Sequence, residues 1–234
     1  MRLDKLLANL RYGTRSAIKD AVKAGRVTVA GDIIADPGRI VEPEIETIAF
    51  DGIPVFYRKW VYLMMNKPKG VVSANRDDRH PTVIGRIGPP YDRFDLSICG
   101  RLDLDAEGLL LLTNDGDTLH RVISPKNDIF KEYAVVLAHP LVDASALERG
   151  VIILDGKDEA YTTKPAKLLR TDERECRIWI CEGKFHQVKR MFEAIGNEVV
   201  ALKRVAIGGL GLDPGLAPGE YKEIGFEDVN RIFT

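Results

Sequence analysis

Arg101, Asp103 and Asp105 stand at alternate positions in a stretch bounded by Gly100 and Gly108, and Glu107 follows two residues on. A glycine-bounded turn of that spacing gathers acid and base groups, and carboxylates held beside cations stay ionised. Four leucines, Leu109 to Leu112, follow at once and end at Thr113-Asn114-Asp115-Gly116. The run is too short to span a membrane and has no polar period, so it reads as a buried strand. Three kinds of turn fit at its mouth. One is a solvated turn with Arg–Asp pairs. Another is a calcium loop, since Asp103, Asp105, Glu107 and Gly108 fall at the first, third, fifth and sixth positions of that register. Its ninth and twelfth positions are Leu111 and Asn114, however, so a hard cation meets hydrocarbon where it needs oxygen, and no metal is expected. In the third, one aspartate is a nucleophile or base.

The elements that must position this turn lie on both sides of it. With 234 residues, 45% of them hydrophobic, the chain can bury a real core in one domain or two. The start, Met1-Arg2-Leu3-Asp4-Lys5, is charged and no long apolar segment follows, so neither a signal peptide nor a membrane association is expected. Cys99, Cys176 and Cys181 have no C-x-x-C pairing or zinc-ligand spacing and read as reduced core thiols of a cytoplasmic protein. No phosphate loop, dinucleotide fingerprint or metal cluster is present in the sequence, so no cofactor is expected. The net charge is −1, yet the first 31 residues carry seven basic and two acidic side chains, and the stretch after them is acidic. Positive charge is concentrated, not abundant.

Leu3, Leu6, Leu7 and Leu10 share one face of a first helix, Arg2 to Leu10, with Arg2 and Lys5 opposite. Gly13 breaks it, and Thr14 caps a second helix running to Ala24. On that helix Arg15, Lys19 and Lys23, then Arg26 beyond Gly25, form a basic stripe without the acidic partners of a self-satisfied surface helix. A hairpin at Gly31-Asp32 follows. The order helix, helix, basic residue, hairpin, with R-L-D-K-L-L and A-G-R-V-T-V-A-G, resembles the S-four-type (alpha-L) RNA-binding module, with Ala30 where Asn often precedes the glycine. That resemblance implies RNA contacts for Arg2, Lys5, Arg15, Lys19, Lys23 and Arg26. A linker near Gly52 to Lys59 divides the chain into 1–58 and 59–234.

Beyond the linker, Trp60 to Met65 reads as a strand, Asn66 to Gly70 as a turn, and Asn75 to Thr82 as a polar loop. Lys131 to Leu137 alternates as a strand with Tyr133, Val135 and Leu137 on one face. Leu141 to Gly150 looks helical, Val151 to Leu154 looks like a buried strand, and Cys176 to Cys181 is a further strand. It opens into a helix from Lys184 to Gly196, with Phe185, Val188, Phe192 and Ile195 as its apolar face and His186, Lys189, Arg190 and Glu193 opposite.

Three of these stretches, G-R-L-D with D-x-x-G-L-L, Lys-x-Tyr at 131–133, and E-G-K-F-H-Q-V-K-R-M-F, resemble in order the motifs of the ribosomal RNA pseudouridine synthases. The family usually has Thr or Ser where this chain has Ala106. The resemblance implies an α+β protein, in which a small alpha-L RNA-binding domain precedes a catalytic domain on a mixed, largely antiparallel sheet. It makes Asp103 the catalytic carboxylate, Tyr133 the ring against the target base, and Lys189 the cation paired with Asp103, with Arg190 as the fallback. Arg101, His186, Gln187 and Arg190 become substrate contacts. It implies an isomerase without cofactor, acting as a monomer on ribosomal RNA, with the small-subunit (16S) RNA favoured over the large-subunit (23S) RNA. A non-catalytic RNA-binding assembly factor is the reading from another class, and an intact Asp103 and Lys189 speak against it.

Overall fold

The computed structural model describes residues 1–157 and 159–234. Contacts divide it into two compact units, Met1–Val61 with Ile87–Asp95, and Tyr62–Arg86 with Leu96–Thr234. Residues 87–95 thus join the first unit, an excursion that no periodicity in the sequence announces. Aromatic packing explains it: the Phe56 ring meets Tyr91 edge-on at 5.5 Å and Phe94 edge-on at 6.0 Å.

In the first unit, α1 (Leu3–Asn9) and α2 (Arg15–Lys23) bury Leu3, Leu6, Leu7, Ile18, Ala21 and Val22. Thr14 Oγ1 caps α2 by accepting from the Ala17 amide at 3.2 Å. Strands β1 (Val27–Val29), β2 (Asp32–Ile33), β3 (Ile48–Phe50) and β4 (Ile53–Pro54) form an antiparallel sheet in the order β2-β1-β3-β4. The stretch read as acidic punctuation and linker therefore supplies two further strands. Ala30 and Gly31 both take positive φ, 52° and 91°, in the two-residue turn from β1 to β2. Ala30 holds there a left-handed conformation that Asn or Gly adopts more easily.

The second unit contains β5 (Tyr62–Lys67), β6 (Ser97–Cys99), β7 (Glu107–Thr113), α3 (Gly116–Ile123), β8 (Lys131–Leu137), α4 (Ser145–Arg149), β9 (Ile152–Leu154) and β10 (Ala160–Thr162). It continues with β11 (Lys167–Arg170), β12 (Glu175–Ile180), α5 (Gln187–Ala194), β13 (Val199–Ile207), β14 (Leu210–Gly211), β15 (Tyr221–Glu223) and α6 (Phe226–Asn230). A nine-stranded sheet runs β11-β12-β8-β13-β7-β5-β15, with β14 on β13 and β6 on β7. Its only parallel pair among the described residues is β13 with β7. The architecture is α+β on a mixed, largely antiparallel sheet. Leu109 and Leu111 enter one core cluster with Tyr62, Met64, Ile207 and Ile232, while Leu110 and Leu112 are equally buried behind them. Burial on both faces is why the leucine run shows no alternation.

Several expected elements are shorter or shifted. Asn66 and Lys67 belong to β5 rather than to a turn. Within 141–150 only Ser145–Arg149 is helical, because Leu141 pairs its amide with the Glu173 carbonyl and Asp143 Oδ1 accepts from the Ser145 amide. Strand β9 is buried only at Ile153: among the described residues it pairs with β10 alone, and Ile152 and Leu154 are exposed. Helix α5 starts at Gln187 because His186 sits in the left-handed region at φ 51°, which leaves the Phe185 ring exposed instead of on the apolar face. Burial raises the Cys99 thiol to about 12 and Cys176 to about 11, so neither is a ready nucleophile. No helix among the described residues is long and apolar enough to cross a membrane.

Candidate active site

The Gly100–Ala106 turn leaves β6 through Gly100, at φ 81°, and its backbone is gripped from three sides. Ser73 Oγ donates to the Leu102 carbonyl at 2.8 Å and accepts from the Leu102 amide at 3.0 Å. The fully buried Lys67 ammonium donates to the carbonyls of Asp103 at 2.8 Å, Ala106 at 2.7 Å and Pro68 at 3.1 Å. Buried Arg204, from β13, donates Nε to the Leu109 carbonyl at 2.8 Å and Nη2 to the Gly100 carbonyl at 3.1 Å. Close approach of β7 to β13 requires Gly108, where a Cβ would lie 2.1 Å from the Arg204 carbonyl oxygen. Where the family usually has a hydroxyl, Ala106 offers its carbonyl to Lys67.

With its backbone fixed, the turn presents its carboxylates to α5 and the residue before it. Lys189 Nζ is chelated by Asp105, at 2.6 Å and 2.8 Å, and lies 3.8 Å from Asp103 Oδ2. His186 Nε2 lies 3.7 Å from Asp103 Oδ1. Lys189 thus pairs first with Asp105 and only at longer range with Asp103. Its hydrogen bond holds the Asp105 carboxyl below the ordinary carboxylate range, against the opposing effect of partial burial. Burial pulls the Lys67 ammonium down to about 8, a drop that Asp103, Asp105 and Glu107 oppose.

Asp103, Arg101, Tyr133, His186 and Arg204 line a cavity of about 540 Å³. Tyr133 enters it from β8, in register with Ile178 of β12 and Arg204 of β13. Arg101 is exposed at its edge and makes no hydrogen bond or ion pair among the described residues. Gln187 lines it too, but its amide is committed inward: Nε2 donates to Glu182 Oε1 at 2.6 Å and Oε1 accepts from the Lys184 amide at 2.8 Å. Glu182 also accepts from the Tyr161 hydroxyl at 2.7 Å and the Lys164 amide at 2.8 Å. Gln187 therefore braces the loop before α5 from within the cavity lining. Arg190 donates to the carbonyls of Leu154 and Asp155 and lies 5.0 Å over the Phe185 ring. It ties α5 to the end of β9 and is not a substitute partner for Asp103.

In the first unit the basic side chains separate into two groups. Arg2 forms a two-pronged pair with Asp4 (3.0 Å each) and Arg26 with Asp51 (2.7 and 2.6 Å). Lys5, Arg15, Lys19 and Lys23 are exposed and make no ion pair among the described residues. The unpaired stripe thus lies on α2 and does not extend to Arg26.

Sequence reasoning missed Lys67, Ser73, Arg204 and Glu182. For two of them a signal existed. Arg204 takes an inward position of a strand whose other inward residues include Leu202 and Ile207, and Lys67 ends a strand that is buried throughout. A cation in an inward register needs acceptors waiting for it.

A family model described as RNA pseudouridylate synthase matches residues 61–194, and one for the S4 domain matches residues 1–44. The fold and site define a two-part RNA-modifying enzyme. The chain belongs to the RNA pseudouridylate synthase family, whose members are isomerases. It is 48% identical to the uncharacterized RNA pseudouridine synthase YtzG of Bacillus subtilis, over 99% of this chain and 98% of that one. It is 40% identical to ribosomal small subunit pseudouridine synthase A of Escherichia coli, over 99% of this chain and all of that one. A crystal structure of a pseudouridylate synthase superimposes with a TM-score of 0.69 at 36% identity, covering 99% of each chain.

Proposed function

We propose that the protein converts one uridine of small-subunit (16S) ribosomal RNA to pseudouridine, with Asp103 as the nucleophile. The reaction breaks the N–C glycosidic bond, turns the uracil and rejoins it through carbon, so no electrons are exchanged with a donor. Asp103 attacks the base or the sugar. Tyr133 lies against the extruded base, which must leave its stack to react. Lys189 keeps positive charge beside the carboxylate, the His186 ring lies next to its other oxygen, and Arg101 holds the nucleotide or its phosphate. Residues 1–58 dock the RNA through α2 and residues 59–234 carry the chemistry, in a monomer working in the cytoplasm.

The observation that carries this reading is Asp103: a carboxylate on a rigidly held turn, opening into a cavity with Tyr133 and flanked by the Lys189 ammonium and the His186 imidazole. Relatives named for the small ribosomal subunit support the choice of RNA. The test is tritium release from uridine-labelled 16S RNA fragments, with pseudouridine mapped in ribosomal RNA from cells lacking the gene. Asp103→Asn should abolish release while RNA binding persists. A normal modification pattern in the deleted cells, or an active Asp103→Asn, would overturn the assignment.

A further inference from the structure

The large sheet carries a second cavity on the face away from the active site. Neighbouring pairs in β8 and β12 alternate: Tyr133 sits opposite Ile178, and Glu132 opposite Trp179. Since Tyr133 faces the catalytic cavity, Trp179 faces the other side. There Arg121, Asn127, Phe130, Lys167, Trp179 and Phe233 line a cavity of about 830 Å³, within the size range of ligand sites.

Its chemistry is that of cations set against rings. The Arg121 guanidinium lies 3.7 Å from the centre of the Phe233 ring, and the Lys167 ammonium 4.7 Å from that of Phe130. Neither cation has an ion-pair partner among the described residues. Asp128, a carboxylate in the same lining, is held by Lys164 at 2.6 Å. Asn127 donates to the Arg121 carbonyl at 2.7 Å, which fixes its amide and leaves its oxygen as an acceptor. Uncompensated cations beside aromatic faces suit a base that stacks and a phosphate that needs neutralising.

Position adds a second argument. Val122, Ile123, Pro125 and Lys131 line the catalytic cavity, while Arg121 and residues 127–130 line this one. The segment from 121 to 131 is a shared wall, so a strand that rounds it reaches both sides. We propose that this cavity takes a single-stranded nucleotide of the substrate RNA other than the target uridine, its base against Trp179 and its phosphate at Arg121 and Lys167. The proposal rests on the reading of the chain as an RNA-modifying enzyme.

Trp179 supplies the readout. The chain has two tryptophans, so Trp60→Phe leaves Trp179 as the sole indole. The probe is the 16S RNA fragment that the parent chain modifies or, if it modifies none, an oligouridylate. Binding should quench Trp179. Adding Arg121→Ala and Lys167→Ala should weaken binding roughly tenfold and flatten its salt dependence by about 0.7 per cation removed. If that variant loses its near-ultraviolet circular dichroism, crosslinking of thiouridine-labelled RNA to the Phe130 and Trp179 peptides of the parent decides instead. Bound RNA that neither moves Trp179 emission nor crosslinks there, or a folded variant with unchanged affinity and slope, overturns the proposal. Pseudouridine formation is scored in the same samples, so failure of the catalytic reading shows separately from failure of this site.

Discussion

The active turn and the N-terminal unit both carry several cations, and they use them in opposite ways. Around the turn, Lys67 and Arg204 are buried and donate to backbone carbonyls, while Lys189 is drawn to carboxylates. In the N-terminal unit, Arg2 is held by the buried Asp4 and Arg26 by Asp51, while Lys5, Arg15, Lys19 and Lys23 stay exposed without ion pairs among the described residues. A count of positive residues treats these as alike. Which acceptor each cation has found decides whether it stabilises the fold, tunes a neighbouring carboxylate or remains available to a phosphate.

Removing a buried cation should test that division most severely. Lys67→Met keeps an apolar stem but leaves three carbonyls without their donor, at a cost of about 3 kcal/mol in unfolding free energy. Turnover should fall further than stability explains, because the freed carbonyls belong to Asp103 and its neighbours. Denaturant unfolding and tritium release on the same preparations check it. A variant that loses stability but turns over normally at low temperature would show that the grip on the turn is irrelevant to chemistry.

The same lysine gives a pH dependence whose sign differs for stability and activity. Its folded value of about 8 lies below the ordinary 10.5, so the folded state releases the proton first. As pH rises between those values, Lys67 alone makes the fold more stable, not less. What weakens is the grip, since a neutral amine has two N–H groups for three carbonyls. Turnover should decline above about pH 8, without a matching fall in melting temperature traceable to this residue. A rate that stays flat to beyond about pH 9 would show that the ammonium is not what holds the turn.

Asp105→Asn probes the outer cation and should have a smaller effect. Losing the chelate frees Lys189 to close on Asp103, which is already 3.8 Å away. A carboxylate drawn into a closer ion pair attacks less readily. Turnover should drop by no more than about tenfold. Unchanged turnover would mean that Asp105 only braces the turn.

Much of this was legible in the sequence wherever the signal is local. The first two helices, the Thr14 cap and β8 follow from periodicity and capping residues within a few positions of each other. The turn and the α5 motif were legible as neighbours through their resemblance to a family. The partners of individual charges were not, because each is chosen by residues far along the chain. Lys189 meets Asp105 and Asp103 at nearly equal sequence distance, and only side-chain geometry separates 2.6 Å from 3.8 Å. Gln187 and Arg190 look like substrate contacts by their place in a motif, yet Glu182 and the carbonyls at the end of β9 claim them. Arg26 continues the α2 stripe in sequence, but Asp51 reaches it from the strand turn after β3.

The N-terminal cations give the mildest test, and the one that most sharpens the contrast between committed and available charge. If α2 neutralises phosphates, each lysine removed from it releases one counterion fewer when RNA binds. Lys19→Gln with Lys23→Gln should flatten the dependence of log affinity on log salt by about 0.7 to 0.9 per residue. Stability should change by less than about 0.5 kcal/mol, since both side chains are exposed and neither makes an ion pair among the described residues. Arg26→Gln should behave in the opposite sense. Its guanidinium is already occupied by Asp51 and lies 5.1 Å over the Phe50 ring, so its loss should leave the salt slope nearly unchanged and loosen the β1–β3 region instead. Affinity for the 16S fragment across a salt series, beside thermal unfolding of each variant, reads both quantities. Equal changes of slope for Arg26→Gln and for a single α2 lysine would mean that RNA pulls Arg26 away from Asp51, and that an ion pair seen in the free protein does not mark a cation as unavailable.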